Sequence, residues 1–241
     1  MILVAVALFA ALSYAVTQSG RGGGNIDREQ RALQAAQIVQ YLQTVSQAVQ
    51  RMRIINGCSD TQISFHDTNW GHNDYLHAPV LSSECRIYED GGNVPFQRPD
   101  DIWLDTSQSA QTYFGDYVFY AGICVGDIGT GTVGPSCNTT GPSDEELVMI
   151  LPWMRRDLCI EINNQLGIDN PGGDPPTENN NAYSLTNQSF LFNGDYADGN
   201  LIGSGATTEG NVFVGQPTAC FEGGGEPAPG SYHLYHVLIE R

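Results

Sequence analysis

The chain has 241 residues, of which 41% are apolar, enough for a globular domain with a real core. It carries 27 acidic residues against ten basic ones, and its formal net charge is −17. All ten basic residues are arginine, and an acidic surface without lysine repels phosphate backbones. We therefore expect no nucleic-acid partner.

The first sixteen residues, MILVAVALFAALSYAV, contain no charged side chain. This run is shorter than the roughly 20 residues that span a bilayer comfortably, and it lacks the basic start of a signal peptide. Its composition favours a helix, and the simplest packing partner is the same segment of neighbouring copies. The expected contacts in that packing are Met1, Ile2, Leu3, Val4, Val6, Leu8, Phe9, Leu12 and Val16.

A glycine-rich stretch follows at residues 17–24. Each glycine in a helix interior is unfavourable by about 1 kcal/mol relative to alanine. The stretch therefore predicts a melted break between two helical parts, at Gly20, Gly22, Gly23 and Gly24.

The helix is predicted to restart, with Asn25 or Asp27 as its N-cap, and to cover residues 27–55. Asn56-Gly57 is a helix-ending signal. Within this range apolar residues recur every three or four positions, which is typical of an amphipathic helix. The stripe expected to pack against the rest of the protein is Ala35, Ile38, Leu42, Val45, Val49 and Met52.

Six cysteines lie in the remainder of the chain, and none forms a C-x-x-C pair, which disfavours a zinc ribbon or a thioredoxin-like site. Their even number and their polar neighbours indicate disulfides formed in an oxidising compartment, with buried free thiols as the alternative. Sequence alone leaves the connectivity open. We expect two local pairs and one long-range pair, namely Cys58–Cys85, Cys124–Cys137 and Cys159–Cys220.

An apolar first segment, a glycine-rich interruption, an amphipathic second half and a cysteine-containing head together resemble mature type IV pilins and pseudopilins. The resemblance covers the pattern of about the first 57 residues, with Met1 as the first residue after leader removal. It implies a homopolymer of identical subunits, an extracellular filament on the bacterial cell surface, and insertion in the inner membrane before assembly. It implies no catalytic residue and no cofactor.

One position departs from the family pattern. Most pilins have glutamate at the fifth mature position, where it can neutralise the N-terminal amine of a neighbour, and this chain has Ala5. Two alternatives therefore stay open: a minor pseudopilin of a secretion machine, and a membrane-anchored extracellular enzyme or binding protein.

The fold class expected from these patterns is α+β. An interrupted N-terminal helix (residues 1–57) would pack on a disulfide-braced head (residues 58–241) with an antiparallel sheet, a second helix and long loops. The capping box Ser143-Asp144-Glu145-Glu146 predicts that second helix over residues 145–166, kinked at Pro152 and ended by Gly167. Strands are predicted at residues 62–65, 85–88, 116–124, 211–214 and 231–240.

Several histidine and acidic residues lie close together in the sequence, as in some metal sites, but we predict that they bind no metal. His66, Asp67, His72, Asp74 and His77 lie within twelve residues, but in a polar loop without a remote further ligand.

Two other patterns resemble known ligand sites only in part. His233 and His236 fall on opposite faces of a predicted strand, which prevents joint ligation of one ion. The run from Asp195 to Asn200 resembles part of a calcium loop but lacks the terminal glutamate.

Two further motifs are weak. Gly129-x-Gly131-x-x-Gly134 has the spacing of a dinucleotide-binding loop, but Pro135 follows where a helix should open. Asn138 and Asn187 match the N-glycosylation pattern and are candidate modification sites.

Overall fold

The computed structural model describes residues 23–67, 75–77, 83–129, 145–178, 182–183, 191–196, 200–203 and 210–241. These residues form two α-helices and one six-stranded sheet. In chain order the elements are α1 (Gly23–Ile54), β1 (Val118–Val125), β2 (Glu146–Met154), α2 (Arg156–Leu166), β3 (Thr177–Glu178), β4 (Asn200–Ile202), β5 (Thr218–Gly223) and β6 (Tyr232–Ile239).

The sheet has the strand order β3-β5-β6-β2-β1-β4. Its four central strands pair antiparallel, while the short edge strands β3 and β4 pair parallel with β5 and β1. The two edges also meet, because the Glu178 carboxylate accepts a hydrogen bond from the Gly203 N–H at 2.9 Å. The sheet is therefore mixed and nearly closed, like a barrel. The prediction of an antiparallel sheet was wrong.

The predicted glycine break was also wrong where the structure describes it. The described part of helix α1 runs from Gly23 without interruption to Ile54, so Gly23 and Gly24 are helical. The cost of glycine in a helix is about 1 kcal/mol per residue, a weak preference that the rest of a fold often overrides. The remaining break residues, Gly20 and Gly22, and the whole apolar run of residues 1–16 lie outside the described residues.

Helix α1 is amphipathic, and the described residues contain no long apolar helix. None of their helices combines the length and the apolar character needed to cross a membrane. The C-terminal end of α1 matches the prediction closely: Gly57, just beyond it, has a φ of +68°, a left-handed conformation that favours glycine.

The helix predicted over residues 145–166 is instead two elements, the strand β2 and the helix α2. All nine residues of β2 are buried, and a strand covered on both faces shows a continuous apolar run without alternation. Pro152 is accommodated because the pairing with β6 shifts register between Leu151 and Met154, where no ladder N–H is needed. Gly167 does end α2, with a φ of +74°.

The strand predictions are correct in part. Strands β1 and β6 lie where the sequence predicts them, and β6 is central in the sheet. Residues 62–65 and 85–88 meet only through an isolated bridge between Ser64 and Arg86. Residues 211–214 were wrongly predicted as a strand, because a short 3-10 turn covers Gly210–Phe213.

Two of the three predicted disulfides lie within the described residues and are confirmed. Cys58–Cys85 joins the segment after α1 to a neighbouring loop, with the Cα atoms 5.9 Å apart. Cys159–Cys220 joins α2 to β5, with the Cα atoms 5.4 Å apart. Cys137, the predicted partner of Cys124, lies outside the described residues.

Candidate interaction surface on helix α1

Helix α1 is fixed to the head by its apolar stripe. Leu42 is 1% exposed and the other five members of the stripe are fully buried, and α1 contacts both α2 and β6. The stripe has a helical period because only side chains three or four positions apart share a face. The buried members are Ala35, Ile38, Leu42, Val45, Val49 and Met52.

Polar contacts hold the same helix at both ends of the stripe. Near its start, the Gln165 amide of α2 donates to the Ala32 carbonyl at 2.9 Å. Near its end, the Gln50 amide donates to the Leu238 carbonyl of β6 at 3.3 Å, and Arg53 pairs with Asp60 at 2.7 Å. Residues 32–53 of α1 are therefore a rigid part of the head.

The first part of α1 extends beyond these contacts. Residues 26–30 are all exposed, and Ile26 and Leu33 keep 59% and 65% of their surface accessible. Because seven residues separate them, these two apolar side chains lie on one face of the helix, away from the buried stripe. We call Ile26 and Leu33 the outward apolar pair.

A groove lies farther along the same outward face, between α1 and the segment of residues 94–103. Its volume is about 380 Å³. At its base Tyr41 is buried, and its hydroxyl accepts a hydrogen bond from the Gln97 N–H at 3.3 Å. The side chains that line its two walls include Gln37, Gln40, Thr44, Pro95, Gln97 and Trp103.

A buried polar network occupies the interior of the nearly closed sheet. The hydroxyl of Ser231 donates to the Ala228 carbonyl, so its oxygen accepts from Nε2–H of His233 at 2.7 Å. The other ring nitrogen, Nδ1, then accepts from the Tyr183 hydroxyl. The neutral imidazole is thus fully hydrogen-bonded inside an aromatic cage, with the Trp153 ring centroid 5.0 Å away.

Burial lowers the pKa of both strand histidines. The pKa of His233 falls to about 3 and that of His236, beside Thr218, to about 4, from an ordinary value of 6.5. Charging either ring in place would put an unpaired cation in the core. These contacts make His233 and His236 structural residues on opposite faces of β6, as the sequence predicts.

We expect acid to weaken the fold through these two groups. Below about pH 6.5 the unfolded chain binds a proton on each imidazole while the folded chain does not, so stability falls as the pH decreases toward the folded pKa values. Each histidine contributes a slope of up to about 1.4 kcal/mol per pH unit. The free energy of unfolding, measured by urea unfolding at pH 7, 6 and 5, gives this slope. His236→Gln should show a shallower slope than the unchanged chain, and an equal slope would contradict the prediction.

The run of histidines and acids from His66 to His77, for which we predict no metal, is only partly described. His66 and Asp67 are buried, and the His77 ring contacts the Tyr75 and Thr61 carbonyls at 3.2 and 3.0 Å. Among the described residues, no group of three or more His, Cys, Asp or Glu side chains could hold a metal ion.

Other candidate positions fall in parts of the chain that the structure does not describe. These are His72, Asp74, Gly131, Gly134, Asn138, Asn187, Asp198 and Gly199.

Sequence reasoning missed the groove, because its walls come from segments about 60 positions apart in the chain. The repeated glutamines of α1 indicate a polar face, but nothing local shows that Trp103 lies opposite them. No protein-family model matches this chain, and no curated protein and no solved structure matches it either.

Proposed function

We propose that this protein is a structural subunit of an extracellular bacterial filament of the type IV pilus kind, and that it polymerises through its apolar N-terminal segment. The observation that carries the proposal is the outward apolar pair, Ile26 and Leu33. The pair is exposed apolar surface on a helix that the head holds, and in the chain it follows the uncharged residues 1–16.

The energetics favour association between copies. A buried leucine, isoleucine, valine or phenylalanine contributes about 1.5–3 kcal/mol relative to the exposed side chain. Residues 1–16 contain many such side chains, and in water they gain this free energy only by contact with other apolar surface. Neighbouring copies supply that surface in register.

The disulfides support export. Two bridges, one local and one long-range, are present in the described residues, and such bonds persist in oxidising compartments outside the cytoplasm. The net charge of −17 favours a soluble outer surface.

Ala5 favours a second candidate, a minor pseudopilin in a secretion machine. In the pilin pattern a glutamate at this position neutralises the amine of a neighbour, and alanine cannot. The abundance of the protein in sheared surface material separates the two, because a major subunit dominates such a preparation and a minor one is scarce.

The test of assembly compares variants of one helix in cells that make the filament. Deleting residues 1–22 should abolish filaments seen by electron microscopy of sheared surface material. Leu33→Asp should do the same, because the contact would then bury an unpaired carboxylate.

The matched control is Gln43→Asp, which adds the same charge at another exposed position of α1 and should leave assembly unchanged. Both point variants should keep the unfolding midpoint of the unchanged chain, since both positions are exposed. Filaments made by the deletion variant would disprove the proposal.

A further inference from the structure

The groove between α1 and residues 94–103 has an unusual lining for a chain of this charge. The described side chains that line it are uncharged, although the chain as a whole carries a net charge of −17. Three of them are primary amides, each of which both donates and accepts hydrogen bonds. These amides belong to Gln37, Gln40 and Gln97.

An indole ring also lines the groove. Trp103 is half-buried, and the other described residues that line the groove with it are uncharged. The ring itself is an apolar surface beside the amides.

We propose that this groove binds a neutral carbohydrate of one or two sugar residues. Each hydroxyl group of a sugar both donates and accepts hydrogen bonds, so it pairs with the NH2 donor or the C=O acceptor of an amide, and the C–H face of the sugar packs on an aromatic ring. The volume of about 380 Å³ lies at the small end of the roughly 300–1,000 Å³ range of ligand sites. An acidic sugar is disfavoured, because no cationic side chain is among the described residues lining the groove.

A peptide ligand fits the groove less well. Extended peptides bind by adding a strand to an exposed sheet edge, or they place alternate side chains in apolar pockets. Here one wall is a helix with exposed glutamines, and the described lining combines three amides, two hydroxyls and one indole with only two aliphatic side chains, Val94 and Pro95.

Sugar binding at this groove would be a function additional to filament assembly, and it does not depend on the proposal that the protein forms filaments. The groove begins at Gln37, one helical turn beyond Leu33, and the binding test below needs only the unassembled chain. A filament of such subunits would present one sugar site per copy.

The test uses the full chain in a polyoxyethylene detergent, which has no sugar headgroup. The probes are glucose, galactose, mannose, N-acetylglucosamine, N-acetylgalactosamine and their common disaccharides. N-acetylneuraminic acid serves as the acidic sugar, and a capped triglycine serves as the peptide. Ligand-observed saturation-transfer NMR detects binding, and tryptophan emission reports on Trp103.

At least one neutral sugar should bind saturably and change the tryptophan emission. Trp103→Phe should remove the emission change, which assigns it to Trp103 among the three tryptophans of the chain, and should weaken binding, because the smaller ring covers less of the sugar. Gln40→Glu should weaken binding by about tenfold, because a carboxylate cannot donate. Gln43→Glu, which adds the same charge outside the groove, should bind like the unchanged chain. Gln40 and Gln43 are exposed, so neither change should affect folding.

Three results would overturn the proposal. The first is that no neutral sugar binds. The second is that binding is unchanged by both Trp103→Phe and Gln40→Glu, which would place the sugar elsewhere. The third is that the capped peptide or the acidic sugar binds in place of every neutral one.

Discussion

Replacing Leu42 with alanine is expected to lower the free energy of unfolding by about 2–5 kcal/mol. Leu42 is 1% exposed, in the middle of the α1 stripe. The substitution removes apolar surface from the core and leaves a cavity between the helix and the sheet. The neighbours on either side, Ile38 and Val45, are fully buried and have little freedom to fill it.

The matched control for this experiment is Leu33→Ala on the same helix. Leu33 is 65% exposed, so the identical chemical change should alter the free energy of unfolding by less than about 0.5 kcal/mol. Urea unfolding of both variants, followed by circular dichroism, gives the comparison. Equal losses at the two positions would show that the stripe does not carry the attachment of α1.

Removing the Cys159–Cys220 disulfide is expected to lower the free energy of unfolding by about 4 kcal/mol. The bond closes a chain segment with a sequence separation of 61. Without it the unfolded chain gains conformational freedom, while the folded chain loses its covalent link between α2 and β5. The double variant Cys159→Ala/Cys220→Ala, measured by urea unfolding beside the unchanged chain, tests this.

The effect of removing the second described disulfide can be compared with that of removing the first. Cys58–Cys85 has a sequence separation of 27, so the same reasoning gives a smaller loss, about 3.5 kcal/mol, for Cys58→Ala/Cys85→Ala. A loss below about 1 kcal/mol from the Cys159–Cys220 variant would mean that packing alone holds α2 on the sheet.

The sequence predicts secondary structure well where the pattern is local and only one face of the element is buried. The stripe of α1 repeats every three or four residues because a single face is buried, and the periodicity identifies each member. Strand β6 is found for a similar reason, since it is rich in aromatic and β-branched residues and its length suits a central strand.

The sequence misleads where an element is buried on both faces. In β2 every residue is buried, so no alternation distinguishes it from a helix, and the capping box just before it favours the wrong choice. The described parts of the edge strands β3 and β4, two and three residues long, are too short to carry a pattern. Their parallel pairing depends on long-range contacts.

The candidate groove also could not be predicted from local sequence patterns. Its glutamines are visible in the sequence of α1, but the indole that faces them comes from a distant loop. Only the fold brings the two together. The outward apolar pair, by contrast, could be predicted from the heptad spacing of Ile26 and Leu33, once the buried face of the helix is known.

The hydrogen bond from Gly203 to Glu178 has a consequence for how crowded copies behave. Open sheet edges present free N–H and C=O groups that recruit strands from other molecules and lead to aggregation. Here the described parts of both edge strands are short, and the Glu178 side chain bridges the two edges at 2.9 Å. Over these residues the sheet therefore offers little open ladder to a strand of another molecule, and we expect concentrated solutions of the folded protein to resist aggregation through this part of the sheet.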